Sequence, residues 1–463
     1  MLIRSKKETP DFHIEAPPSK SIYHRELIVR FLCGDFQHLD ILGTDNDDVI
    51  ATKSVLMALK SKDQAQEDYL TLPCKESGST LRFMIPVAAA YILGQDTCNS
   101  KSDHRIKRLI FQTEGRLFDR PLKELEAALA PHGISINKDS ESRQIIVSGH
   151  MTPGQYIIDG SVSSQYISGL MMALTLFDKA CSIKVTGKVK SFHYIELTMD
   201  ALEKYNCPVN VINGHDYIEY IPSLSAYKNA SEKGLKEFSV EGDWSNGAYL
   251  LCMKEFSNIS VGNLNPDSRQ GDRAILDYLK LVKKVRKTGP ASNSTSNKEG
   301  NAFALVNDKN ADVLADDRDK NEDISAVDTD KAEYSWDCSD IPDIVPYMAM
   351  LAPFIFDKIV FTGIGRLRIK ESDRVKAIRE QLNEAGVVTE ENEDSLTIYR
   401  ISDKARLEDE KKTLNISSYN DHRMAMTGVL LSVILKTSVE IDNIECMKKS
   451  FPEFLDYIDK YFS

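Results

Sequence analysis

The chain has 463 residues, 42% of them apolar, more than one hydrophobic core usually serves, so two domains are expected. Its 58 basic residues against 70 acidic ones leave a net charge of −12, which disfavours broad attraction to nucleic acid or an anionic membrane; an anionic ligand must be met by positive charge gathered locally. The eight cysteines, Cys33, Cys74, Cys98, Cys181, Cys207, Cys252, Cys338 and Cys446, form no CxxC pair, a pattern that suits reduced, mostly buried thiols in the cytosol.

At the N-terminus, MLIRSKKETPDFHIEAPPSK is basic and lacks the apolar run of a signal peptide, so a soluble protein is expected. Ser19-Lys20-Ser21 then opens a helical stretch with Arg25 one turn in. Glu76-Ser77-Gly78-Ser79-Thr80-Leu81-Arg82 is a second turn before a helix, where Gly78 would let a ligand approach the backbone and Pro86 should kink the helix. The apolar run MIPVAAAYIL in that helix is too short to span a bilayer. Ser163-Ser164-Gln165 offers two hydroxyls and an amide at a third helix entry, and GDWSNG (242–247) and SDIPD (339–343) repeat the pattern, with Asp343 opening an apolar run.

Residues 289–330 are polar and then acidic, and are expected to form a surface insertion. Within them Asp317, Asp319 and Asn321 alternate as in a calcium loop, but Glu322 stands where the sharp turn needs glycine. Further on, Lys370-Glu371-Ser372-Asp373-Arg374 sets acid and base side by side at a helix start; Val375, Ile378, Leu382 and Ala385 form its apolar stripe and Gly386 its C-terminal cap. Asn420-Asp421-His422-Arg423 precedes Met426, Val429, Leu430 and Val433 at i, i+3, i+4 and i+7, with Asn420 or Asp421 as N-cap.

Six turns, SKS, ESGST, SVSSQ, GDWSNG, SDIPD and NDHR, recur roughly every 60 to 100 residues, too far apart for a solenoid and suited to a repeated βαβ-type unit. The turns at 19–25, 76–82, 163–165, 370–374 and 420–423 together supply cations and hydroxyl or amide groups, which is what phosphate binding uses: helix N-terminal amides and hydroxyls bond the oxyanion while Lys and Arg neutralise it.

Taken in order, SKS, SGSTLR, SSQ, IPD, KESDR, NDHRMAM and KKSFPEF resemble the EPSP synthase family of enolpyruvyl transferases, from Pro18 to Pro452. The resemblance implies an α/β (α+β) chain of two similar domains, each of three βαβαββ units in the inside-out barrel of that family. One would span 19–240 and the other 1–18 plus 241–463, with the 289–330 insertion on its surface. The implied reaction moves the enolpyruvyl group of phosphoenolpyruvate to the 5-hydroxyl of shikimate 3-phosphate and releases phosphate.

Residue by residue, the family's pattern implies shikimate 3-phosphate contacts at Lys20, Ser21, Arg25, Ser163, Ser164, Gln165, Ser191, Tyr194, Asp343 and Lys370. Phosphoenolpyruvate contacts are implied at Lys20, Gly78, Arg120, Gln165, Arg374, Arg423 and Lys449. Lys20, Asp343, Lys370, Glu371 and His422 would be catalytic, Asp343 on the attacking hydroxyl and Glu371, beside Lys370, in proton transfer. No cofactor or metal is implied, and no HxxH or Cys/His cluster suggests one; a cytoplasmic monomer that binds neither nucleic acid nor membrane is expected. Glu76 and Arg366 stand where many members carry asparagine, and Lys75 adds charge to a turn often less charged. The related transferase acting on a UDP-amino sugar carries a cysteine in the loop that here reads TEGRLFDRP. A catalytically silent anion- or partner-binding homologue would have no need of Lys20, Asp343, Glu371, Arg374 and Lys449 together.

Overall fold

Alternating apolar strands and capped helices succeed one another along most of the chain, and the computed structural model describes residues 1–4, 11–94, 106–189, 191–223, 227, 237–288, 333–402 and 413–462. The expected insertion and the calcium-like stretch inside it lie outside the described residues. Two short strands, β1 (Leu2–Ile3) and β2 (His13–Glu15), precede α1 (Lys20–Leu32) and α2 (Asp47–Lys60). Next comes a βαβαββ run: β3 (Tyr69–Pro73), α3 (Gly78–Leu93), β4 (Arg108–Gln112), α4 (Lys123–Leu129), β5 (Ile134–Asp139) and β6 (Gln144–Gly149). The same order repeats as β7 (Gln155–Asp159), α5 (Ser164–Leu174), β8 (Ser182–Thr186), α6 (His193–Lys204), β9 (Val209–Asn213) and β10 (Tyr217–Pro222).

After α7 (Trp244–Lys254), β11 (Ser260–Gly262) and α8 (Ile275–Thr288) comes a third copy: β12 (Glu333–Asp337), α9 (Val345–Leu351), β13 (Lys358–Thr362), α10 (Arg374–Glu384), β14 (Thr389–Glu391) and β15 (Ser395–Tyr399). Last are β16 (Leu414–Ile416), α11 (His422–Leu435), β17 (Val439–Ile441) and α12 (Phe454–Tyr461).

The three complete units share one topology, with strand orders β3-β4-β6-β5, β7-β8-β10-β9 and β12-β13-β15-β14. In each, the first two strands are parallel and the remaining pairs antiparallel. A parallel pair needs a crossover, and a helix supplies it here, so each crossover helix begins just past the C-terminal end of its strand. The mixed α/β class expected from the sequence is the one the chain adopts.

Apolar side chains gather in two separate cores. One is drawn from residues between Leu27 and Tyr227, the other from Ile3 to Ile14 together with Trp244 to Phe462. The N-terminal strands belong to the second: β1 joins β17 and β2 joins β11. Where the chain passes between cores, Ser19 N donates to Glu241 O and Asp243 N to Pro17 O, each at 2.8 Å.

Pro86, expected to kink α3, lies inside the helix, which runs on to Leu93. Proline removes the N–H that would bond the Arg82 carbonyl. That carbonyl packs against Gly169 of α5, where a Cβ would lie only 2.8 Å from it, so the two helices approach closely at the proline. All seven described cysteines are free thiols, six of them buried. No helix among the described residues is long and apolar enough to cross a membrane.

Candidate active site

Four of the helix starts that stood out in the sequence are capped by their own side chains. Ser77 accepts from Thr80 N, Ser163 from Gln165 N, Asp373 from Lys376 N and Asp421 from Arg423 N. Capping satisfies one backbone donor at each helix start and leaves others facing outward. These ends converge on one cleft of about 1130 Å³ between the two cores.

Of the residues the sequence pointed to, Lys20, Ser21, Gly78, Arg120, Ser163, Ser164, Gln165, Ser191, Tyr194, Asp343, Lys370, Glu371, Arg374, His422 and Arg423 line this cleft. Gly78 has a steric reason to be glycine, since a Cβ there would overlap the Arg120 guanidinium. Arg25 is not on the wall. It lies buried behind it, donating to Thr198 Oγ1 at 2.7 Å, Ser21 O at 2.5 Å and Tyr194 O at 2.8 Å. Its guanidinium sits over the Phe83 ring at 4.9 Å, and burial pushes its pKa down to about 10. Arg25 therefore holds Ser21 and Tyr194 in place from the rear. Lys449 lines an adjoining recess with Glu76, Arg116, Arg120 and Glu371.

Two acid centres organise the charged wall. Asp343 Oδ1 lies 2.9 Å from Arg374 Nη1, 3.4 Å from Lys370 Nζ and 3.5 Å from Arg423 Nε, while Tyr194 OH donates to Oδ2 at 3.4 Å from the other core. Burial disfavours the charged carboxylate, but Lys370, Arg423 and Arg374 outweigh it and hold Asp343 well below the usual range. Glu371 meets Arg374 Nη2 at 2.6 Å, Arg120 Nη2 at 3.6 Å and Lys449 Nζ at 3.9 Å. Burial again opposes ionisation, and Arg374, Lys449 and Arg120 again prevail, so Glu371 is a carboxylate at rest.

Lys370 and Glu371, expected to act as a couple, point to different partners: Lys370 to Asp343, Glu371 to Arg374. Backbone at Lys370 is extended, and neighbouring side chains on extended backbone leave on opposite sides. Burial pushes Lys370 down to about 8; Asp343 pulls it back up, and Arg374 and Arg366 push it lower.

His422 is 1% exposed and neither ring nitrogen has a hydrogen-bond partner among the described residues. Burial first, then Arg423 and Lys20, hold it neutral, far below its ordinary pKa. Lys20 bonds Asp48 at 2.8 Å; burial favours the neutral amine, but Asp48 and Glu371 outweigh it and raise its pKa.

Several further residues at the site are given no contact or catalytic role by the sequence. Arg82 lines the cleft and donates to Gln165 Oε1 at 2.9 Å, and Asp421, fully buried, bonds Arg374 Nε at 2.8 Å. Asp48 and Asp243 also reach the cleft, and Asp272, bonded by Ser245, is pushed up to about 7 by burial and by the charge of Asp343. The only hint for Asp272 was its place in a polar QGD turn. Arg366 Nη1 donates to Ser191 Oγ at 2.9 Å across the cleft.

Two cores that between them hold three complete βαβαββ units, with facing helix starts and a cation-rich cleft between them, define an enolpyruvyl transferase. The fold is shared with EPSP synthase from Acinetobacter baumannii (TM-score 0.61, 15% identity, covering 100% of this chain and 98% of that one). It is shared as well with the enolpyruvyl transferase NikO from Streptomyces tendae (TM-score 0.57, 9% identity, 99% and 96% covered).

Residues 12–458 match the EPSP synthase (3-phosphoshikimate 1-carboxyvinyltransferase) family, and the chain belongs to it. Relatives named 3-phosphoshikimate 1-carboxyvinyltransferase include one from Clostridium beijerinckii, 29% identical over 96% of this chain and 93% of its own length. Another, from Clostridioides difficile, is 28% identical over 95% and 93%. The protein is thus a transferase that moves an enolpyruvyl group.

Proposed function

We propose that this cleft joins phosphoenolpyruvate to shikimate 3-phosphate, with each of its side chains in a definite role. The observation that carries the reading is that hydroxyls and amides from one core face two ionised carboxylates and at least four cations from the other across a single cleft. Ser163, Ser164 and Ser191 bond the phosphate of the acceptor, Ser21 and Tyr194 hold its ring, and Arg25 supports both from behind. Gln165, Lys20 and Arg120 hold the donor's phosphate with the Gly78 backbone close by, and Arg374, Arg423 and Lys449 take its carboxylate.

Asp343 accepts the proton of the attacking 5-hydroxyl as oxygen bonds to C2 of the donor, while C3 gains a proton. In the second step C3 returns a proton, the C2–O bond to phosphate breaks, and phosphate leaves. Glu371 serves C3 in both directions. A donor whose phosphate meets Arg120 and whose carboxylate meets Arg374 and Lys449 neutralises the charges that keep Glu371 ionised, so the bound donor raises its proton affinity. Lys370 steadies Asp343 and the acceptor's phosphate.

Residues 19–240 and 1–18 plus 241–463 are proposed as two domains closing over the substrates, a division that the two separate cores support. The protein is proposed to act as a monomer in the cytoplasm. The test is phosphate release by the purified protein from phosphoenolpyruvate: it should require shikimate 3-phosphate, and equal release with a UDP-amino sugar would reject the acceptor assignment.

A further inference from the structure

Beside the main cleft, a recess of about 320 Å³ brings Glu76 next to Lys449, Arg116 and Arg120. Glu76 is out of character there, an acid facing a site that gathers anions. The turn that presents it passes through Lys75 at φ 49°, and Gly115, at φ +52°, leaves open the space its carboxylate occupies. Glu76 Oε2 lies 3.8 Å from Lys449 Nζ, and Glu371 Oε1 lies 3.9 Å from the same nitrogen. Lys449 is 10% exposed, so its charge is poorly served by solvent and divided between the two acids. Glu371 has Arg374 and Arg120 besides, at 2.6 and 3.6 Å.

We propose that Glu76 sets how weakly the enzyme holds its anionic donor: its carboxylate competes with the phosphate and carboxylate of phosphoenolpyruvate for Lys449. The inference rests on the reading of this cleft as the donor site. Negative charge at Glu76 repels the released phosphate as well, so tight donor capture is traded for easier product escape. The effect is electrostatic, and a half-exposed carboxylate is screened by salt.

The experiment uses the full chain and two variants, Glu76→Gln, which keeps shape and loses charge, and Glu76→Asp, which keeps charge. Phosphate release is measured at saturating shikimate 3-phosphate in about 20 mM and about 500 mM salt, where the Debye length falls from roughly 20 Å to below 5 Å. In Glu76→Gln the KM for phosphoenolpyruvate should fall about three- to tenfold at low salt, and inorganic phosphate should inhibit more strongly. The gap should narrow at high salt, and Glu76→Asp should stay near the parent. Turnover in parent and Glu76→Gln with KM unchanged or raised overturns the proposal alone. Absence of phosphate release from every protein overturns the donor-site reading, and this inference with it.

Discussion

The two walls of the cleft bind by different physics. The wall from the first core presents many neutral donors and acceptors, Ser21, Ser79, Ser163, Ser164, Gln165 and Tyr194, with Lys20, Asp48, Arg82 and Arg120 among them. The wall from the second presents Asp343, Lys370, Glu371, Arg374 and Arg423, joined by ion pairs of 2.6 to 3.5 Å. A hydroxyl acts over hydrogen-bond range alone, so a change at a hydroxyl of the first wall should reach less far than the loss of a charge. Charges in a buried network set one another's protonation, so the second wall titrates and fails as a unit. The division suits recognition on one side and proton movement on the other.

Three changes test that contrast, from the largest effect to the smallest. Glu371→Gln keeps the shape of the charged wall and removes the carboxylate proposed to carry the proton, so kcat should fall by about 10²–10⁴ with KM values changing far less. An equal loss in binding alone would erase the difference between the walls. Ser163→Ala with Ser164→Ala should leave kcat within a few-fold but raise the KM for shikimate 3-phosphate by about ten- to a hundredfold, as loss of hydrogen bonds to a charged group implies.

The smallest effect is in pH. Lys370, held near 8, is charged below that pH and neutral above it, so kcat/KM should decline as pH rises through about 8. Arg366 is among the charges that depress it, so Arg366→Asn should move this basic limb to higher pH. A limb that stays in place would mean that Lys370 is not the group titrating.

Local signals made the helix starts legible. Asp421 caps α11 and Asp373 caps α10, while Val375, Ile378, Leu382 and Ala385 are buried along one stripe ended by Gly386 at φ 76°. What could not be seen was the partner of each charge. Asp421, which bonds Arg374, is 47 residues further on, and Asp48, which bonds Lys20, looked like one more acid in the first turn of α2. Arg25 shows the limit well. A cation one turn into a helix can face a ligand or prop up the wall, and the groups that decide it, Thr198 and the Tyr194 carbonyl, lie 173 and 169 residues away.

The two passages of chain between the cores run as a pair, tied at Ser19–Glu241 and Pro17–Asp243 and bridged antiparallel at Pro18 and Gly242. Two tethers fixed to each other leave the proposed closure of the halves one axle to turn on, and Lys20, whose N–H donates to Asp243 Oδ2 at 3.3 Å, sits on it. Arg116 Nη1 donates to Glu371 O at 3.1 Å across the gap without covalent backing, a bond that the proposed movement would have to release.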